Sequence, residues 1–179
     1  MNNNDRKRQA NRILYEFGLL KKIEEIGCAH IIGSYRMDMM AWNDLDIDIE
    51  NDAMSLDKLY ELSTFITNTF HPLWYEAKEE IDAAGKRVWF HGFETTITGE
   101  LWNIDLWFFD KATISNAEFY CDNIVQNTNQ VQKEIIVDIK SGLIKRGIYS
   151  FEQYKSIDVY KAVMENGVKS VDEFLILFN

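Results

Sequence analysis

The sequence predicts an α+β fold in which strands and helices together are followed by helices alone. Apolar residues recur with both the strand and the helix period before residue 112, and with the helix period alone after it. The composition is 46% hydrophobic and 13% aromatic, with one proline and nine glycines, which predicts one well-buried core. We therefore divide the chain into a domain over residues 1–112 and a helical C-terminal region over residues 113–179.

The first predicted elements are a helix and a short strand. Apolar residues spaced by about 3.6 residues among Lys, Arg and Glu predict an amphipathic helix over residues 5–26, which Gly27 ends. The apolar run over residues 28–32 predicts a buried strand. Gly33-Ser34 then predicts a tight turn directly after that strand.

Strand patterns dominate the middle of the chain. Residues 44–49 alternate Asp with Leu or Ile, which is the two-residue period of a strand. Ser55 is a suitable N-cap for a helix that we expect to continue to Phe70, and a strand is expected over residues 73–79. Aromatic and β-branched residues predict a hairpin with strands over 87–97 and 100–109.

Three helices are predicted in the C-terminal region, over residues 129–146, 151–165 and 170–178. Ser150 with Gln153, and Ser170 with Glu173, have the spacing of a capping box. Each of these serines therefore indicates the start of a helix.

The formal net charge of -10 bears on the partners of the chain. A phosphate backbone attracts surfaces rich in lysine and arginine, so nucleic acid is an improbable partner and a small cationic or neutral one is favoured. No run approaches the roughly 18 apolar residues of a membrane span, so we expect no membrane partner. Cys28 and Cys121 lack disulfide or metal-ligand spacing, and we interpret both as buried thiols of a cytoplasmic protein.

Acidic residues concentrate on the strand predicted over residues 44–49. Asp44, Asp46 and Asp48 should line one face, because alternate strand residues point the same way. Like charges on one face repel unless a cation neutralises them, and Mg²⁺ is a hard ion that prefers carboxylate oxygen. Asp105 interrupts a later aromatic strand; if the two strands are neighbours, it completes a cluster for two Mg²⁺ ions about 3.5 to 4 Å apart.

This arrangement resembles the nucleotidyltransferase superfamily, which includes polymerase beta and the aminoglycoside and lincosamide nucleotidyltransferases. The matching features, in chain order, are Gly33-Ser34 after a strand, a nine-residue spacer, Asp44-Leu45-Asp46 on the next strand and Asp105 on a later strand. The resemblance implies a mixed β-sheet flanked by helices. It also implies transfer of a nucleoside monophosphate from a nucleoside triphosphate, such as ATP, to an acceptor, with release of pyrophosphate.

The resemblance further implies a role for each matched residue. Gly33 and Ser34 would contact the triphosphate, because glycine lets backbone N–H groups approach phosphate and the serine hydroxyl donates another hydrogen bond. Asp44 and Asp46 would bind the metal ions. Asp105 would share the metal or accept the proton of the attacking hydroxyl.

The sequence departs from the usual pattern at two places. Asp46 and Asp48 also fit the spacer range, so the register of the metal-binding pair is open; we favour Asp44 and Asp46, because lincosamide-type members show a similar Asp-Leu-Asp-Ile string. Asp38 or Met39 stands where many relatives carry a loop glycine. Arg36, two residues beyond Ser34, is equally compatible with a phosphate contact and with a surface position.

The sequence favours a metal-dependent nucleotidyltransferase that acts on a hydroxyl of a small-molecule acceptor. A homodimer is compatible with the sequence. The alternative is a catalytically silent module of the same fold that binds a nucleotide or a protein, including a toxin-antitoxin type role. A third interpretation, an acidic interaction domain without a nucleotide site, predicts that Asp105 lies far from Asp44 and Asp46.

Overall fold

The computed structural model describes residues 1–82, 85–150 and 153–178, and within these residues five strands form one mixed sheet. The strands are β1 (Cys28–Ile31), β2 (Asp44–Glu50), β3 (Trp74–Ile81), β4 (Arg87–Ile97) and β5 (Glu100–Phe109). Their order across the sheet is β1-β2-β5-β4-β3. β2 and β5 are parallel, while the other neighbouring pairs are antiparallel. The predicted mixed sheet and its β4–β5 hairpin are confirmed.

Helices precede, interrupt and follow the sheet. Those of the first part are α1 (Asn3–Asn11), α2 (Leu19–Glu24), α3 (Gly33–Arg36) and α4 (Leu56–Phe70). Those after the sheet are α5 (Lys111–Gln126), α6 (Gln130–Lys145), α7 (Ser156–Asn166) and α8 (Val171–Phe178). The α+β class is therefore confirmed. Within the described ranges, no helix combines the length and apolar character needed to cross a bilayer.

One face of the sheet forms the larger apolar core. Leu45, Ile47 and Ile49 of β2 are fully buried there, as are Ile104 and Leu106 of β5. They pack in one cluster with apolar side chains of α1, α2 and α4. Each fully buried Leu or Ile contributes about 1.5 to 3 kcal/mol, so this face accounts for much of the stability of the sheet.

A second apolar cluster lies among α5 to α8. Met37 and Met39, from the segment between β1 and β2, belong to it together with residues of all four helices. The C-terminal helices therefore pack directly on a segment that leads into the sheet. α5 begins at Lys111, close to the expected boundary at residue 112. The division of the chain into two domains stays a prediction.

The N-terminal helix differs from its prediction. The expected helix over residues 5–26 is divided into α1, a π-helical turn (Arg12–Glu16) and α2. Gly18 lies between the last two and has a φ of 76°, in the left-handed region that glycine adopts without strain. The apolar spacing continues through Gly18 and therefore predicted one helix. In the structure, the left-handed backbone conformation of Gly18 separates the π-helical turn from α2.

Two further predictions differ from the structure. α5 was not assigned as a helix, although Asp110 caps it by accepting a hydrogen bond from the Thr113 backbone N–H at 2.9 Å. The helix expected over 151–165 begins at Ser156; residues 151 and 152 lie outside the described residues. Cys121 is buried as expected, whereas Cys28, at the start of β1, is exposed.

Candidate functional site

The register of two parallel strands brings three carboxylates together. Asp46 of β2 lies opposite Asp105 of β5, and Asp44 lies opposite Asn103. One carboxylate oxygen from each of Asp44, Asp46 and Asp105 lies within 4.8 Å of the others. The Asn103 amide donates hydrogen bonds to Asp44 Oδ1 at 3.0 Å and to Asp105 Oδ2 at 3.2 Å. We call the three aspartates the carboxylate cluster.

Burial makes ionisation of the carboxylate cluster unfavourable. It raises the pKa of Asp44 to about 6, partly offset by the hydrogen bond from Asn103. The pKa of Asp46 is raised well above its ordinary value by burial and by the charges of Asp44 and Asp105. Burial also raises the pKa of Asp105. A divalent cation removes this repulsion, and a set of carboxylate oxygens suits Mg²⁺.

Asp48 lies on the same face of β2 but outside the carboxylate cluster. Its neighbour on β5 is Trp107, and no metal-ligating group of three among the described residues includes it. Burial raises the pKa of Asp48 to about 6, while the nearby charge of His30 lowers it. This placement favours Asp44 and Asp46 as the metal-binding pair over the shifted register.

The Gly33-Ser34 turn contacts the carboxylate cluster closely. A Cβ added at Gly33 would lie 2.2 Å from Asp46 Oδ2, and the φ of Gly33 is 64°. Glycine is therefore required here for both its size and its backbone conformation. The Ser34 side chain is 6% exposed, and its buried Oγ has no hydrogen-bond partner in the described part of the chain. A buried hydroxyl left unpaired costs about 1 to 3 kcal/mol, which a ligand at this position would recover.

A cavity of about 640 Å³ adjoins the carboxylate cluster, and we call it the cleft. Its walls come from the turn after β1, from β2 and from α5 to α7. They include Gly33, Ser34, Trp42, Asp44, Asp46, Tyr120, Cys121, Lys140, Tyr149, Tyr154 and Tyr160. Trp42 is 38% exposed and borders the cleft. The volume is within the usual range of about 300 to 1,000 Å³ for small-molecule sites.

Lys140 is a functional candidate that the sequence reasoning missed. It is 2% exposed, and its Nζ lies 5.7 Å from the ring centroid of Tyr149 and 5.5 Å from that of Tyr160. No carboxylate of the described residues forms an ion pair with it, although its charge lowers the pKa values of Asp44 and Asp46. The cleft thus holds a buried ammonium group that forms no ion pair with the part of the chain that the structure describes.

The position of Lys140 in the apolar pattern of α6 could have identified it as a functional candidate. Ile136, Ile139 and Leu143 are fully buried, and their spacing defines the apolar stripe of α6. Lys140 continues that stripe, at a position where an apolar residue is expected. A charged residue in a buried stripe is rare unless it has a partner or a ligand.

The chain resembles known proteins in structure but not in sequence. No family model matches the sequence, and no curated protein matches it significantly. The Cid1 poly(U) polymerase bound to MgATP matches in structure with a TM-score of 0.64 and 17% identity, over 89% of this chain and 49% of that one. The chain has the nucleotidyltransferase fold. It spans about half the length of this structure.

Two other solved structures share the nucleotidyltransferase fold with this chain. The polymerase core of TRAMP, an RNA surveillance complex, has a TM-score of 0.60 and 16% identity, over 87% of this chain and 47% of that one. The non-canonical poly(A) polymerase complex GLD-2–GLD-3 has a TM-score of 0.57 and 14% identity, over 92% and 55%. These likenesses confirm the fold that the motifs predicted.

The departure from the loop glycine has a structural explanation within this fold. Asp38 has a φ of 60°, the left-handed conformation that glycine would otherwise supply and that Asp tolerates better than most residues. Lys7 Nζ forms an ion pair with Asp38 Oδ1 at 3.0 Å, and the Asn3 amide donates to the same oxygen at 3.0 Å. These contacts with α1 hold the loop before β2.

Arg36 has contacts that suit a structural role. Its Nη1 lies 2.9 Å from Glu118 Oε1, and its Nε and Nη2 donate to Asp122 at 3.0 and 3.1 Å. The hydrogen bonds that Arg36 donates to Asp122, together with the charges of both acids, raise the pKa of Arg36. Arg36 therefore joins α3 to α5, and its contact with phosphate stays a prediction.

Proposed function

We propose that the chain is an Mg²⁺-dependent nucleotidyltransferase, which moves a nucleoside monophosphate from a nucleoside triphosphate to a hydroxyl group of an acceptor. One observation carries this proposal: a single cleft borders the carboxylates of Asp44 and Asp46, the unpartnered hydroxyl of Ser34 and the buried ammonium of Lys140. A polyphosphate with its divalent cations would satisfy all of these groups at once.

The proposed roles follow from the chemistry of each group. The acceptor oxygen forms a bond to the α-phosphorus, the bond from that phosphorus to the bridging oxygen breaks, and pyrophosphate leaves. Asp44, Asp46 and Asp105 would hold Mg²⁺, which supplies charge neutralisation at the phosphates. Ser34 and Lys140 would hold the departing phosphates. Asp105, oriented by Asn103, would accept the proton of the attacking hydroxyl.

We propose a small molecule as the acceptor. The net charge of -10 supports this choice, because a polyanion would be repelled. An RNA end is the second candidate, since the similar structures are named as poly(U) and poly(A) polymerases. A module that binds nucleotide without transfer is the third, and release of pyrophosphate separates it from the other two.

Calorimetry with nucleoside triphosphates, beginning with ATP, tests the proposed site. The natural chain should bind in the presence of Mg²⁺ and much more weakly without it. Lys140→Met keeps the apolar stem but removes the ammonium, and we expect the dissociation constant to rise about 10- to 100-fold. Lys145→Met is the matched control, because Lys145 is exposed at the end of the same helix.

Three results would contradict the proposal or part of it. A folded natural chain that binds none of the four common ribonucleoside triphosphates with Mg²⁺ would refute the nucleotide site. Equal binding by the natural chain and Lys140→Met would remove Lys140 from it. Binding without pyrophosphate release, across small-molecule and RNA acceptors, would support the silent module.

A further inference from the structure

A second pocket borders the carboxylate cluster on the part of the sheet opposite to the cleft. The cleft lies over the turn after β1 and over β2, whereas this pocket, of about 500 Å³, lies over β5, β4 and β3. We call it the open-face pocket. It is lined by Trp74, Glu76, Lys78, Phe90, Glu94, Asn103, Asp105 and Trp107. The carboxylate cluster thus lies between two concave surfaces.

The strand register places the lining of the open-face pocket on the face that carries Asp105. Trp74 pairs with Glu94, and Glu94 pairs with Asn103, across the three strands. The residues in between, one position along each strand, point to the apolar core; Phe93 and Ile104 are examples. Trp74 remains 44% exposed, so this part of the face is accessible.

Gly92 leaves space beside Asp105 that two aromatic rings of the open-face pocket occupy. Gly92 lies opposite Asp105 on one side and opposite Glu76 on the other. A Cβ at Gly92 would lie 2.5 Å from Phe90 Cζ and 3.1 Å from Trp74 Cη2. The two rings therefore lie across the glycine, and any other residue would displace them. Glycine inside a strand often marks such a close approach.

The open-face pocket already holds one ammonium group of the chain. Lys78 Nζ lies 5.4 Å from the ring centroid of Phe90, 3.5 Å from Glu76 Oε2 and 3.2 Å from Glu80 Oε2. A ring face with adjacent carboxylates attracts a cation through both the ring quadrupole and the charge. The chain's own lysine thus shows which chemistry this surface accommodates.

Glu94 provides a carboxylate that is not used within the chain. Glu94 lines the pocket between Trp74 and Asn103, and among the described residues its carboxylate forms no hydrogen bond or ion pair. Lys78, the cation of the lining, is held by Glu76 and Glu80. The carboxylates of the lining outnumber this lysine, so the pocket carries a net negative charge that would attract a cation.

We propose that the open-face pocket binds the acceptor, and that the acceptor is a small hydroxyl compound carrying an ammonium or guanidinium group. The hydroxyl lies at Asp105, and the cation lies at Glu94 against the ring of Trp74. In-line attack requires the acceptor and the departing pyrophosphate to lie on opposite sides of the phosphorus. The open-face pocket and the cleft, on either side of the carboxylate cluster, provide these two positions. This inference rests on the proposed function and names the substrate class of that site.

Binding can be measured without any nucleotide. The probes are a panel of amino sugars, including the chitosan trisaccharide, each paired with its N-acetylated form, which keeps the other hydroxyls but loses the charge. The indole N–H resonances of Trp74 and Trp107 report on the open-face pocket, and that of Trp42 reports on the cleft. We expect amino sugars to shift the first two resonances, and N-acetylated forms to leave all three unchanged.

Glu94→Gln tests the cation contact directly. This isosteric change should raise the dissociation constant of the amino sugars about tenfold, without changing triphosphate binding or the melting temperature. Glu165→Gln is the matched control, because Glu165 is exposed on α7 and does not line the cleft or the open-face pocket. Trp74→Ala should weaken the same probes, since it removes the ring face.

Three results would overturn the proposal. The first is that charged and N-acetylated probes bind with equal affinity. The second is that the natural chain and Glu94→Gln bind the amino sugars equally well. The third is that the chain extends an RNA oligonucleotide but modifies no amino sugar. The two proposals fail separately. Triphosphate binding without amino-sugar binding rejects only the acceptor class, whereas amino-sugar binding without triphosphate binding rejects only the nucleotide site.

Discussion

Along β2, Leu45, Ile47 and Ile49 are fully buried in the apolar core, whereas Asp44 and Asp46, each one residue away, border the cleft. Burial on the first face stabilises the fold by about 1.5 to 3 kcal/mol for each side chain. Burial on the second face has the opposite effect, since it raises the pKa of each aspartate and disfavours its charge. One strand therefore combines a stabilising face with a destabilising one.

This contrast indicates how the chain tolerates a cluster of acids. The apolar face offsets the free energy that the charged face costs, as is common where chemistry needs groups that folding alone would exclude. Substitutions on the two faces should consequently act in opposite ways. A change within the carboxylate cluster should abolish function and preserve or increase stability without metal, whereas a change on the apolar face should lower stability and leave ligand binding unchanged.

Asp46→Asn should give the largest effect. It removes a metal ligand of the proposed site, so Mg²⁺-dependent pyrophosphate release should fall about a thousandfold or more. The free energy of unfolding in EDTA should stay the same or increase, because the variant no longer buries a charge among like charges. Release assays with the acceptor panel and urea unfolding measure the two quantities. Retained release, or a clear loss of stability in EDTA, would contradict the assignment of the faces.

Ile47→Ala probes the adjacent residue on the other face. Ile47 is fully buried, so its truncation should lower the free energy of unfolding by about 3 kcal/mol. Urea unfolding in EDTA measures this loss. The folded fraction should bind Mg²⁺ and triphosphate with an unchanged dissociation constant, measured by calorimetry at low temperature. A large change in affinity with little loss of stability would mean that the two faces are not independent.

The same alternation explains why much of the fold and of the carboxylate cluster was predictable. Asp44, Asp46 and Asp48 share a face because of a local two-residue period, which the sequence displays. Predicting that Asp105 joins the carboxylate cluster also required knowing that β5 pairs with β2. That pairing is a contact between residues about 60 positions apart, and the sequence supported it only through resemblance.

The helical side of the cleft was much less predictable. Lys140 reaches the cleft because α6 packs on other helices, and Tyr149 and Tyr160 flank its ammonium group for the same reason. Such placements depend on tertiary packing, which a helical period does not encode. Gly18 was visible but was outweighed by apolar spacing, and the N-cap at Asp110 was overlooked. The open-face pocket was missed because its lining requires β3 to pair with β4, which the sequence pattern alone does not show.

Asp48→Asn should have the smallest effect of the three substitutions. It compares Asp48 with the carboxylate cluster on the same face of β2. Its pKa of about 6 in the folded chain exceeds the value of about 3.9 for an unfolded Asp. The folded chain therefore binds more protons than the unfolded chain in this interval, and its stability declines as the pH rises from about 4 to about 6. The variant avoids this decline.

We therefore expect Asp48→Asn to match the natural chain near pH 4 and to exceed its free energy of unfolding by about 2 to 3 kcal/mol near pH 7. Urea unfolding in EDTA across this range measures the difference. Calorimetry should give unchanged binding of Mg²⁺ and triphosphate. If binding is lost instead, Asp48 belongs to the metal-binding pair and the register along β2 shifts by two residues, which would move the functional end of the strand towards His30.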